Sequence, residues 1–325
     1  MKILFLGRGG NHPATRYRIT QYLDYLKQNG IEYALEFFPA GFFGWLRLVR
    51  LAGNYNAVFI QKKRIGNFWL WLFRRRGCKI IYDIDDAVMF NSSRHSSPDS
   101  PGRMKRFVKM VRASDFVIAG NKYLRSLVEP HNKNCAVMPT TIDMKKYPAK
   151  DYESTGTGAC TIGWIGGGKS IVFLNEIMPV LEDLAGRFDI RLKIVCNTFT
   201  ESGRLEIIKK QWKEEEEAAD ILTFDIGLSP LPDDPWSKGK CATKLLQCMA
   251  AGIPTVSSNA GVHPDMIKDG VNGYMAGSPQ EWMEKISILI NDSIKRREIG
   301  LSGRKTVLDL YSVEANAPGL LKILS

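Results

Sequence analysis

Three lysines lie close together in the second half of the chain, in a segment whose chemistry suits a phosphate. Lys238, Lys240 and Lys244 precede or open a helix predicted over 240–251 from its helically spaced apolar positions. A helix N-terminus is already electropositive and usually carries acidic residues. Lysines there favour an anionic ligand, although a solvated basic turn explains the same residues about equally well.

Three carboxylates follow a predicted buried strand in the first half. Asp83, Asp85 and Asp86 stand at and just beyond the end of the apolar run 78–84. In open α/β sheets ligands bind beyond the carboxyl ends of the strands, so these side chains are candidates for polar contacts to a substrate. Capping of the following turn is the alternative for one of them.

Glycine-rich loops follow the first strand of each half. Gly9 and Gly10 come after the predicted strand 2–7, and glycines there let the backbone approach a ligand closely. Arg16 and Arg18 open the next predicted helix, where guanidinium groups can bind phosphate or carboxylate through two donors. A simple tight turn explains the glycines equally well.

The glycine loop of the second half matches a nucleotide-binding pattern. The run Gly163-Trp164-Ile165-Gly166-Gly167-Gly168-Lys169-Ser170 satisfies G-x-x-x-x-G-K-S, and the apolar run 221–228 contains an aspartate like that of a Walker B strand. A P-loop NTPase is therefore an alternative. Against it, Trp164 and Ile165 continue the apolar strand past the first glycine, and the segment 238–258 is left without a role.

The elements that must position these residues alternate between strand and helix. In the first half the predicted strands are 2–7, 31–38, 57–61, 78–84, 116–119 and 136–138, with a helix over 15–29. In the second half they are 160–165, 190–196, 221–228, 255–258 and 271–275, with helices ending at 185 and over 279–291, 294–301, 303–310 and 313–324. The polar segment 145–158 lacks periodicity and marks a boundary. The pattern predicts an α/β protein with doubly wound domains at 1–150 and 158–311.

The charge of this 325-residue chain is unevenly distributed. Residues 1–150 hold 26 Lys and Arg against 10 Asp and Glu, whereas residues 151–325 hold 19 against 24. The basic first half predicts an anionic partner, such as a membrane surface or a phosphorylated acceptor. Nucleic acid ranks last because no nucleic-acid-binding motif accompanies the charge.

The cysteines and the apolar runs bear on the compartment. Six scattered cysteines without a C-x-x-C pair indicate a reducing cytoplasm and no structural zinc. No apolar run is long enough to span a membrane, and the first residues read as a strand rather than a signal peptide.

One stretch resembles a known family. Residues 244–258, KLLQCMAAGIPTVSS, resemble the second half of the donor-site signature of retaining GT-B glycosyltransferases, the glycosyl transferases group 1 family. That signature usually contains two glutamates in the pattern E-x7-E, and their places are taken here by Gly239 and Gln247. Gln247 still offers a hydrogen bond to a ribose hydroxyl, whereas the role of the first acid passes to Asp233 or Asp234 or is missing.

Three further segments resemble the same family. TRYRI at 15–19 follows a glycine loop as it does there, PTTID at 139–143 resembles P-N-G-V-D, and NAGVHPD at 259–265 resembles a G-G-x-P-E loop. Asp83-Ile84-Asp85 also contains D-x-D, the metal signature of the different GT-A fold. A GT-A enzyme would leave 244–258 unexplained, so we expect polar contacts at these aspartates and no metal.

The resemblance implies a GT-B fold, with two Rossmann-like domains facing a cleft and a C-terminal helix at 312–325 crossing back to the first domain. It implies transfer of a sugar from a nucleotide-sugar donor to a glycan or lipid-linked acceptor in bacterial cell-surface polysaccharide or glycoconjugate assembly, with no metal or cofactor. The implied catalytic residues are Lys240, Lys244, Asp85 and Asp86. The implied donor-binding residues are Gly166, Gly167, Gly168, Ser170, Lys240, Lys244, Gln247, Gly261 and Val262. The implied residues on the acceptor side are Gly9, Gly10, Arg16, Arg18 and Asp83.

Two further hypotheses remain at this point. A catalytically weak protein that binds nucleotide or glycan on the same fold is possible, because a fold does not guarantee activity and one family acid is missing. Separately, residues 42–51 and 68–76 interleave aromatic residues with arginines, which favours peripheral contact with an anionic membrane at the cytoplasmic face. Buried helices with arginines reaching to solvent are the alternative.

Overall fold

Two parallel β-sheets, each of six strands, organise two separate units of the chain. The computed structural model describes residues 1–10, 12–93, 95–153 and 158–325; residues 154–157, inside the predicted linker, lie outside it. The first unit consists of Met1–Thr141, Asp234–Cys241 and Val313–Ser325, and the second of Ile142–Asp233 and Ala242–Ser312. The segment 234–241, which the sequence analysis assigned to the second domain, thus belongs to the first unit.

The first sheet has the strand order β2-β1-β3-β4-β5-β6. Its strands are β1 (Lys2–Gly7), β2 (Glu32–Phe37), β3 (Ala57–Gln61), β4 (Lys79–Ile84), β5 (Phe116–Ala119) and β6 (Cys135–Val137). β1 pairs with β2 on one side and β3 on the other, and the apolar runs of β1, β3 and β4 are almost entirely buried. Burial on both faces is typical of a parallel sheet covered by helices.

Helices cover both faces of the first sheet. They are α1 (Pro13–Arg18), α2 (Leu23–Gln28), α3 (Phe42–Ala52), α4 (Asn67–Arg75), α5 (Pro101–Arg112) and α6 (Lys122–Val128). The predicted single helix over 15–29 is wrong, because α1 ends at Arg18, a 3₁₀ turn covers Thr20–Tyr22 and α2 follows. Ile19 leaves helical geometry at φ −130°, and the hydroxyl of Tyr22, one turn on, bonds that of Thr141 at 2.5 Å.

The second sheet has the strand order β12-β11-β10-β7-β8-β9. Its strands are β7 (Cys160–Ile165), β8 (Ile190–Val195), β9 (Glu206–Lys210), β10 (Ile226–Ser229), β11 (Thr255–Ser258) and β12 (Tyr274–Ala276). Its long helices are α7 (Ile171–Ala185), α12 (Pro279–Asn291) and α13 (Ser293–Thr306), and α8 (Glu217–Leu222) is a shorter one. The sequence analysis missed the half-exposed edge strand β9, whose charged and apolar residues are mixed.

Three boundaries in the second unit differ from the predictions. The strand predicted over 221–228 begins only at Ile226, because Ile221 ends helix α8. The strand predicted over 271–275 is β12, which starts at Tyr274. The two helices predicted over 294–310 are α13 followed by a π-turn at Val307–Tyr311.

The lysine-bearing segment is divided in two. A short helix, α9 (Pro235–Lys238), is capped by Asp234, whose carboxylate accepts from the amide of Ser237 at 2.7 Å. The next helix, α10 (Thr243–Ala250), follows Ala242 in a left-handed conformation at φ 50°. The helix predicted over 240–251 therefore starts three residues late, and Lys240 lies outside its first turn.

The C-terminal helix α14 (Val313–Leu324) belongs to the first unit, as the resemblance implied. Its buried residues Val313, Ala317, Leu320 and Leu324 pack in one cluster with side chains of β1 and α2. Among the described residues, no helix combines the length and apolar character needed to cross a membrane.

Candidate active site

The carboxyl edge of the first sheet carries a buried ion pair. Arg18 Nε lies 3.1 and 3.2 Å from the two carboxylate oxygens of Asp83. Its Nη1 donates to the carbonyls of Met138 at 2.8 Å and Pro139 at 2.9 Å. Burial lowers the pKa of Arg18, but the charge of Asp83 outweighs it and raises that pKa overall. Both side chains are buried and bonded to each other, and their contact with an acceptor stays a prediction.

A second charged cluster lies beside that pair and is more accessible. Lys62 follows β3, and its ammonium lies 3.3 Å from Asp85 Oδ1 and is also ion-paired with Asp86. Burial raises the pKa of Asp85, but Lys62 and then Arg18 outweigh it and lower that pKa overall. Burial also lowers the pKa of Lys62, while Asp85 and Asp86 more than compensate and raise it. Lys62 and Asp85 therefore stay charged at neutral pH.

Sequence reasoning missed Lys62. Its position directly after a strand, at the same sheet edge as the aspartates, was the available signal. The residue has a left-handed backbone at φ 56°, which is uncommon for a residue other than glycine and is found disproportionately at functional sites. Its amide donates to the carbonyl of Asp83 at 2.7 Å, which fixes this conformation to the neighbouring strand.

Lys240 and His12 lie near the carboxylates of this cluster. The ammonium of Lys240 lies 3.8 Å from the centre of the Trp236 ring, and burial lowers its pKa, with Asp86 opposing that shift. His12 Nδ1 accepts from the amide of Ala14 at 3.2 Å and caps α1. Burial, followed by the charges of Arg8 and Lys62, lowers the pKa of His12. Two carboxylates are thus surrounded by several cationic groups.

The segment that carries Lys240 is fastened to the first unit. Asn121 Nδ2 donates to the carbonyls of Lys238 and Lys240, both at 3.0 Å, while its Oδ1 accepts from the amide of Leu124 and caps α6. Gly239 packs so closely that an added Cβ would stand 2.4 Å from Ala87 Cβ and 2.6 Å from Ala87 N. An Asn before a helix signals a cap, but its second role was invisible in the sequence.

The loop after β1 lies at the topological switch point of the first sheet, because β1 and β3 are neighbours while β2 lies outside. Gly10 is exposed and Gly9 half-buried. The guanidinium of Arg16 lies 4.6 Å from the centre of the Tyr17 ring and donates to its hydroxyl at 2.9 Å. These three residues remain predicted acceptor contacts.

The second sheet has its own switch point between β7 and β10, and the glycine loop follows β7 there. The amide of Gly166 donates to the carbonyl of Val195 at 3.2 Å, and the amide of Ser170 donates to the carbonyl of Gly167 at 2.7 Å. Gly167 is exposed, and among the described residues no side chain caps the start of α7. The first turn of this long helix thus offers amide groups to an anion.

The same loop lacks the shape of a P-loop. Gly163 lies inside β7, where it pairs with Lys193 and Gly227, and an added Cβ would meet the Phe224 ring at 2.0 Å. The apolar run taken as a Walker B strand begins as the end of helix α8 at Ile221. Too few residues remain between strand and helix for the eight-residue phosphate loop.

Gln247 belongs to a hydrogen-bonded chain of buried side chains in the second unit. It is fully buried, and its Nε2 donates to the hydroxyl of Tyr147 at 2.8 Å. That hydroxyl donates to Glu217 at 2.8 Å, and Glu217 also accepts from the indole of Trp212 at 2.9 Å. Helix α10 turns Gln247 toward the interior of the second unit, and its contact with a ribose stays a prediction.

Lys244 and Gly261, in the loop after β11, are more exposed than Gln247. Lys244 is half-buried in the first turn of α10, where its charge reinforces the helix N-terminus. Gly261 has φ 61°, which suits glycine, whereas Val262 is buried. His263, in the short helix α11 (His263–Met266), is buried, with Nδ1 3.0 Å from the carbonyl of Ser258, and burial lowers its pKa to about 4. Its role is structural.

A cavity of about 300 Å³ opens where β10, β11 and β12 end. Its wall includes Asp233, Asn259 and Glu176, together with the loop before α12. A larger cavity of about 540 Å³ lies at the opposite edge of the sheet, beside the linker. There Lys150 is already paired with Asp225 at 2.9 Å, so the smaller cavity is the better candidate for substrate.

A bound metal ion would need several His, Cys, Asp or Glu side chains close together. Within residues 1–10, 12–93, 95–153 and 158–325, no three His, Cys, Asp or Glu side chains converge as metal ligands would. Asp85 and Asp86 are instead paired with Lys62. The metal-independent reaction remains a prediction.

Comparison with known proteins identifies the family of the lysine-bearing segment. Residues 237–306 match the family described as "Glycosyl transferases group 1". Spore coat protein SA of Bacillus subtilis (strain 168) is 32% identical over 80 residues, a match that covers 24% of this chain and only 21% of that protein. The resemblance found at 244–258 is confirmed.

Solved structures confirm the GT-B fold. Sucrose-phosphate synthase from Thermosynechococcus elongatus matches with a TM-score of 0.77 at 13% identity, over 99% of this chain and 98% of that one. HepE of Anabaena, solved in complex with UDP and glucose, matches with a TM-score of 0.71 at 16% identity, over 100% and 99% of the two chains. TarM matches with a TM-score of 0.64 at 12% identity, over 85% of this chain and 58% of the TarM chain. At these identities the likeness concerns the fold alone.

Proposed function

We propose that this chain, whose residues 237–306 match the group 1 glycosyl transferases, moves a sugar from a nucleotide-sugar donor to a glycan or lipid-linked acceptor with retention of anomeric configuration. The family match over the α10 region is the observation that carries the proposal. The related folds of HepE, solved with UDP-glucose, and TarM, solved with UDP and α-GlcNAc-glycerol, support this choice of substrates.

The donor requires stabilisation of a diphosphate leaving group. In the transfer the bond between the sugar C1 and the phosphate oxygen breaks, a bond from C1 to the acceptor hydroxyl oxygen forms on the same face, and the hydroxyl proton passes to the departing phosphate or to solvent. Lys244 and the amides at the start of α7 are the groups of the second unit suited to hold the diphosphate. Gly166, Gly168 and Ser170 shape that turn, and Gly261 shapes the loop near the sugar.

The charged cluster of the first unit is proposed to act on the reacting groups. Lys240 and Lys62 supply positive charge, and Asp85 and Asp86 remain carboxylates that can bind sugar or acceptor hydroxyls. Preorganised charge of this kind needs no metal. Gly9, Gly10 and Arg16 are the proposed acceptor contacts of the same unit.

The cellular setting follows from the same substrates. Nucleotide-sugars are cytoplasmic metabolites, so we place the reaction in the cytoplasm, in the assembly of cell-surface polysaccharide or glycoconjugate. The excess of basic residues in the first 150 positions supports contact with an anionic membrane, where a lipid-linked acceptor would be found.

A protein that binds nucleotide or glycan without catalysis is the second candidate. One specific observation favours it: Gly239 replaces an acid of the family signature, and Gln247, which replaces the other, is buried. Asp234 caps α9 and Asp233 lines the cavity, so Asp233 is the acid that we propose as the substitute.

Two measurements separate the candidates. Thermal shifts with UDP, GDP, ADP and CMP identify the nucleotide, and release of that nucleotide from its sugar conjugates is then followed with and without glycan and lipid-linked acceptors. We expect stabilisation by one nucleoside diphosphate and acceptor-dependent release. Stabilisation without release under any acceptor would favour the binding protein, and steady ATP hydrolysis would favour the P-loop alternative and refute the proposal.

A further inference from the structure

Helices α3 and α4 expose a group of large apolar side chains to solvent. We call it the aromatic patch, and it consists of Phe42 (55% exposed), Phe43 (84%), Leu46 (38%), Phe68 (52%) and Trp71 (49%). Single exposed apolar residues are common and need no explanation. This patch is different because its members are neighbours on two helices that contact each other.

Ring contacts make the patch continuous. Trp69 lies at its centre, with ring centroids 5.3 Å from Phe42 and 5.0 Å from Phe68. Phe43 extends it beyond Phe42 at 6.0 Å, and Trp71 extends it beyond Phe68 at 6.3 Å. The rings contact one another, so the patch is a preformed surface rather than a set of separate side chains.

The patch cannot turn inward, because the opposite face of each helix is already buried. Trp45, Leu48 and Val49 of α3 and Leu70 and Phe73 of α4 pack in the core of the first unit. The outward orientation of the aromatic residues is therefore fixed by the fold, and no rearrangement within the unit covers them.

The charges on the two helices are of one sign. Neither α3 nor α4 contains an Asp or Glu. Arg75 lies 4.6 Å from the centre of the Trp71 ring, Lys63 lies 4.8 Å from that of Phe38, and Arg50 lies in the last turn of α3. Arg47 and Arg74 have acidic neighbours in Glu36 and Asp115, but both remain about half exposed or more. The rim therefore complements an anionic surface.

We propose that the aromatic patch docks this protein on an anionic phospholipid membrane. Aromatic side chains flanked by arginines suit the bilayer interface, where rings enter the headgroup region and guanidinium groups pair with lipid phosphates. Single-stranded nucleic acid is also bound by basic and aromatic surfaces, through bases stacked on open ring faces. Here three of the four ring pairs pack edge to face or tilted, the Phe68–Trp71 pair is stacked, and Leu46 adds an aliphatic member, so the rings already cover part of one another's faces, which favours lipid.

The docking surface extends the proposed function but does not depend on it, because it lies on α3 and α4 and involves none of the proposed catalytic residues. Membrane docking favours the lipid-linked acceptor over the other acceptor class proposed above. A test of docking therefore needs no substrate, and its outcome is separate from that of any activity measurement.

Co-sedimentation of the full chain with vesicles tests the proposal. The vesicles contain phosphatidylcholine alone or phosphatidylcholine with phosphatidylglycerol, at low and high salt. The variant F43S/W71S removes exposed aromatic surface, R50S/R75S removes charge, and the control I294S removes an apolar side chain that is 70% exposed on the second unit. Circular dichroism of each variant verifies folding, and a spin without vesicles measures self-association.

We expect the wild type and I294S to pellet with the phosphatidylglycerol vesicles at low salt, several-fold more than with neutral vesicles. F43S/W71S and R50S/R75S should each pellet at least several-fold less, and high salt should release the wild type. Equal pelleting of wild type and F43S/W71S, or none by the wild type, overturns the proposal. Patch-dependent binding to a single-stranded oligonucleotide without vesicle binding would assign the surface to nucleic acid instead.

Discussion

The side-chain amide of Asn121 donates to the backbone carbonyl of Lys240 at 3.0 Å and to that of Lys238 at the same distance. One side chain at the start of α6 thus fixes a segment that follows it by more than a hundred residues in the chain. This bond keeps Lys240 near Asp86 in the first unit, although Lys244, four residues later, belongs to the second.

Replacing Asn121 with Asp tests this anchor. The carboxylate keeps the acceptor that caps α6 through Leu124 but cannot donate to the two carbonyls, whereas Asn121→Ala loses both roles. Two lost bonds beside a buried charge should cost about 2–3 kcal/mol locally. We expect trypsin to cleave N121D after Lys238 and Lys240 faster than the wild type. Unchanged cleavage there would show that the amide bonds do not hold the segment.

Removing the ammonium of Lys62 should move the acidic limb of the pH–activity profile to higher pH. Lys62 lowers the pKa of Asp85, so without it the carboxylate takes up a proton at a higher pH. Lys62→Arg should retain the profile of the wild type. Lys62→Gly and Lys62→Ala should both shift it, with Gly more stable by about 1 kcal/mol because it adopts φ 56° without strain. An unshifted limb in both would mean that Asp85 is not required as a carboxylate.

Lys244→Ala is expected to weaken binding of the nucleoside diphosphate roughly tenfold or more, because a charged hydrogen bond contributes about 1.5–3 kcal/mol. Lys240→Ala should have an effect of similar size. Lys305→Ala, at a position whose side chain is 76% exposed on α13, serves as the control. Calorimetric titration with the nucleotide chosen by thermal shift gives the affinities. Wild-type affinity in both test variants would remove these lysines from the donor site.

His263 predicts a loss of stability on acidification. Its pKa falls from 6.5 to about 4 in the folded chain because burial disfavours the charged ring. Between pH 6.5 and 4 the unfolded chain binds a proton on this ring that the folded chain does not bind. The stability that the neutral ring contributes is therefore fully present above pH 6.5 and is lost as the pH falls toward 4. At pH 5 the loss is about 2 kcal/mol. Urea unfolding at pH 7 and 5 should show this difference in the wild type, and His263→Gln should lose correspondingly less. Equal pH dependence would assign the loss to other groups.

Turnover should survive EDTA. Asp85 and Asp86 are paired with Lys62, and the proposed donor groups already carry the charge needed by a diphosphate. The measurement is nucleotide release after chelation and dialysis, followed by addition of manganese or magnesium. Activity abolished by EDTA and recovered with manganese would reinstate the D-x-D interpretation of Asp83-Ile84-Asp85.

The sequence was a reliable guide to the sheets. Strands such as β1, β3 and β7 are buried on both faces, so their residues are apolar almost throughout. Such continuous apolar runs can be recognised from the sequence alone. Strand β9 was missed because an edge strand with mixed polarity carries no comparable pattern. The break at Ile19 was missed because it depends on distant partners, namely Asp83 for Arg18 and Thr141 for Tyr22.

The site was predicted less completely for the same reason. Asp85, Asp86 and Lys240 were proposed as site residues from their position after a strand or near a predicted helix start, and that role stays a prediction. Lys62, which pairs with Asp85 and Asp86, and Asn121, which bonds the carbonyl of Lys240, come from other parts of the chain, so no local pattern pointed to them. The burial of Gln247 was not foreseen, because residue type alone does not reveal which face of α10 turns inward.

The close contact between Gly239 and Ala87 limits the side chains that position 239 can hold. An acid at 239 would need a Cβ 2.6 Å from the backbone nitrogen of Ala87, and no substitution at 87 removes a backbone atom. A glutamate at 239 therefore requires the turn around Ala87 to move, so this one substitution cannot restore the acid of the family signature without a change in the surrounding backbone.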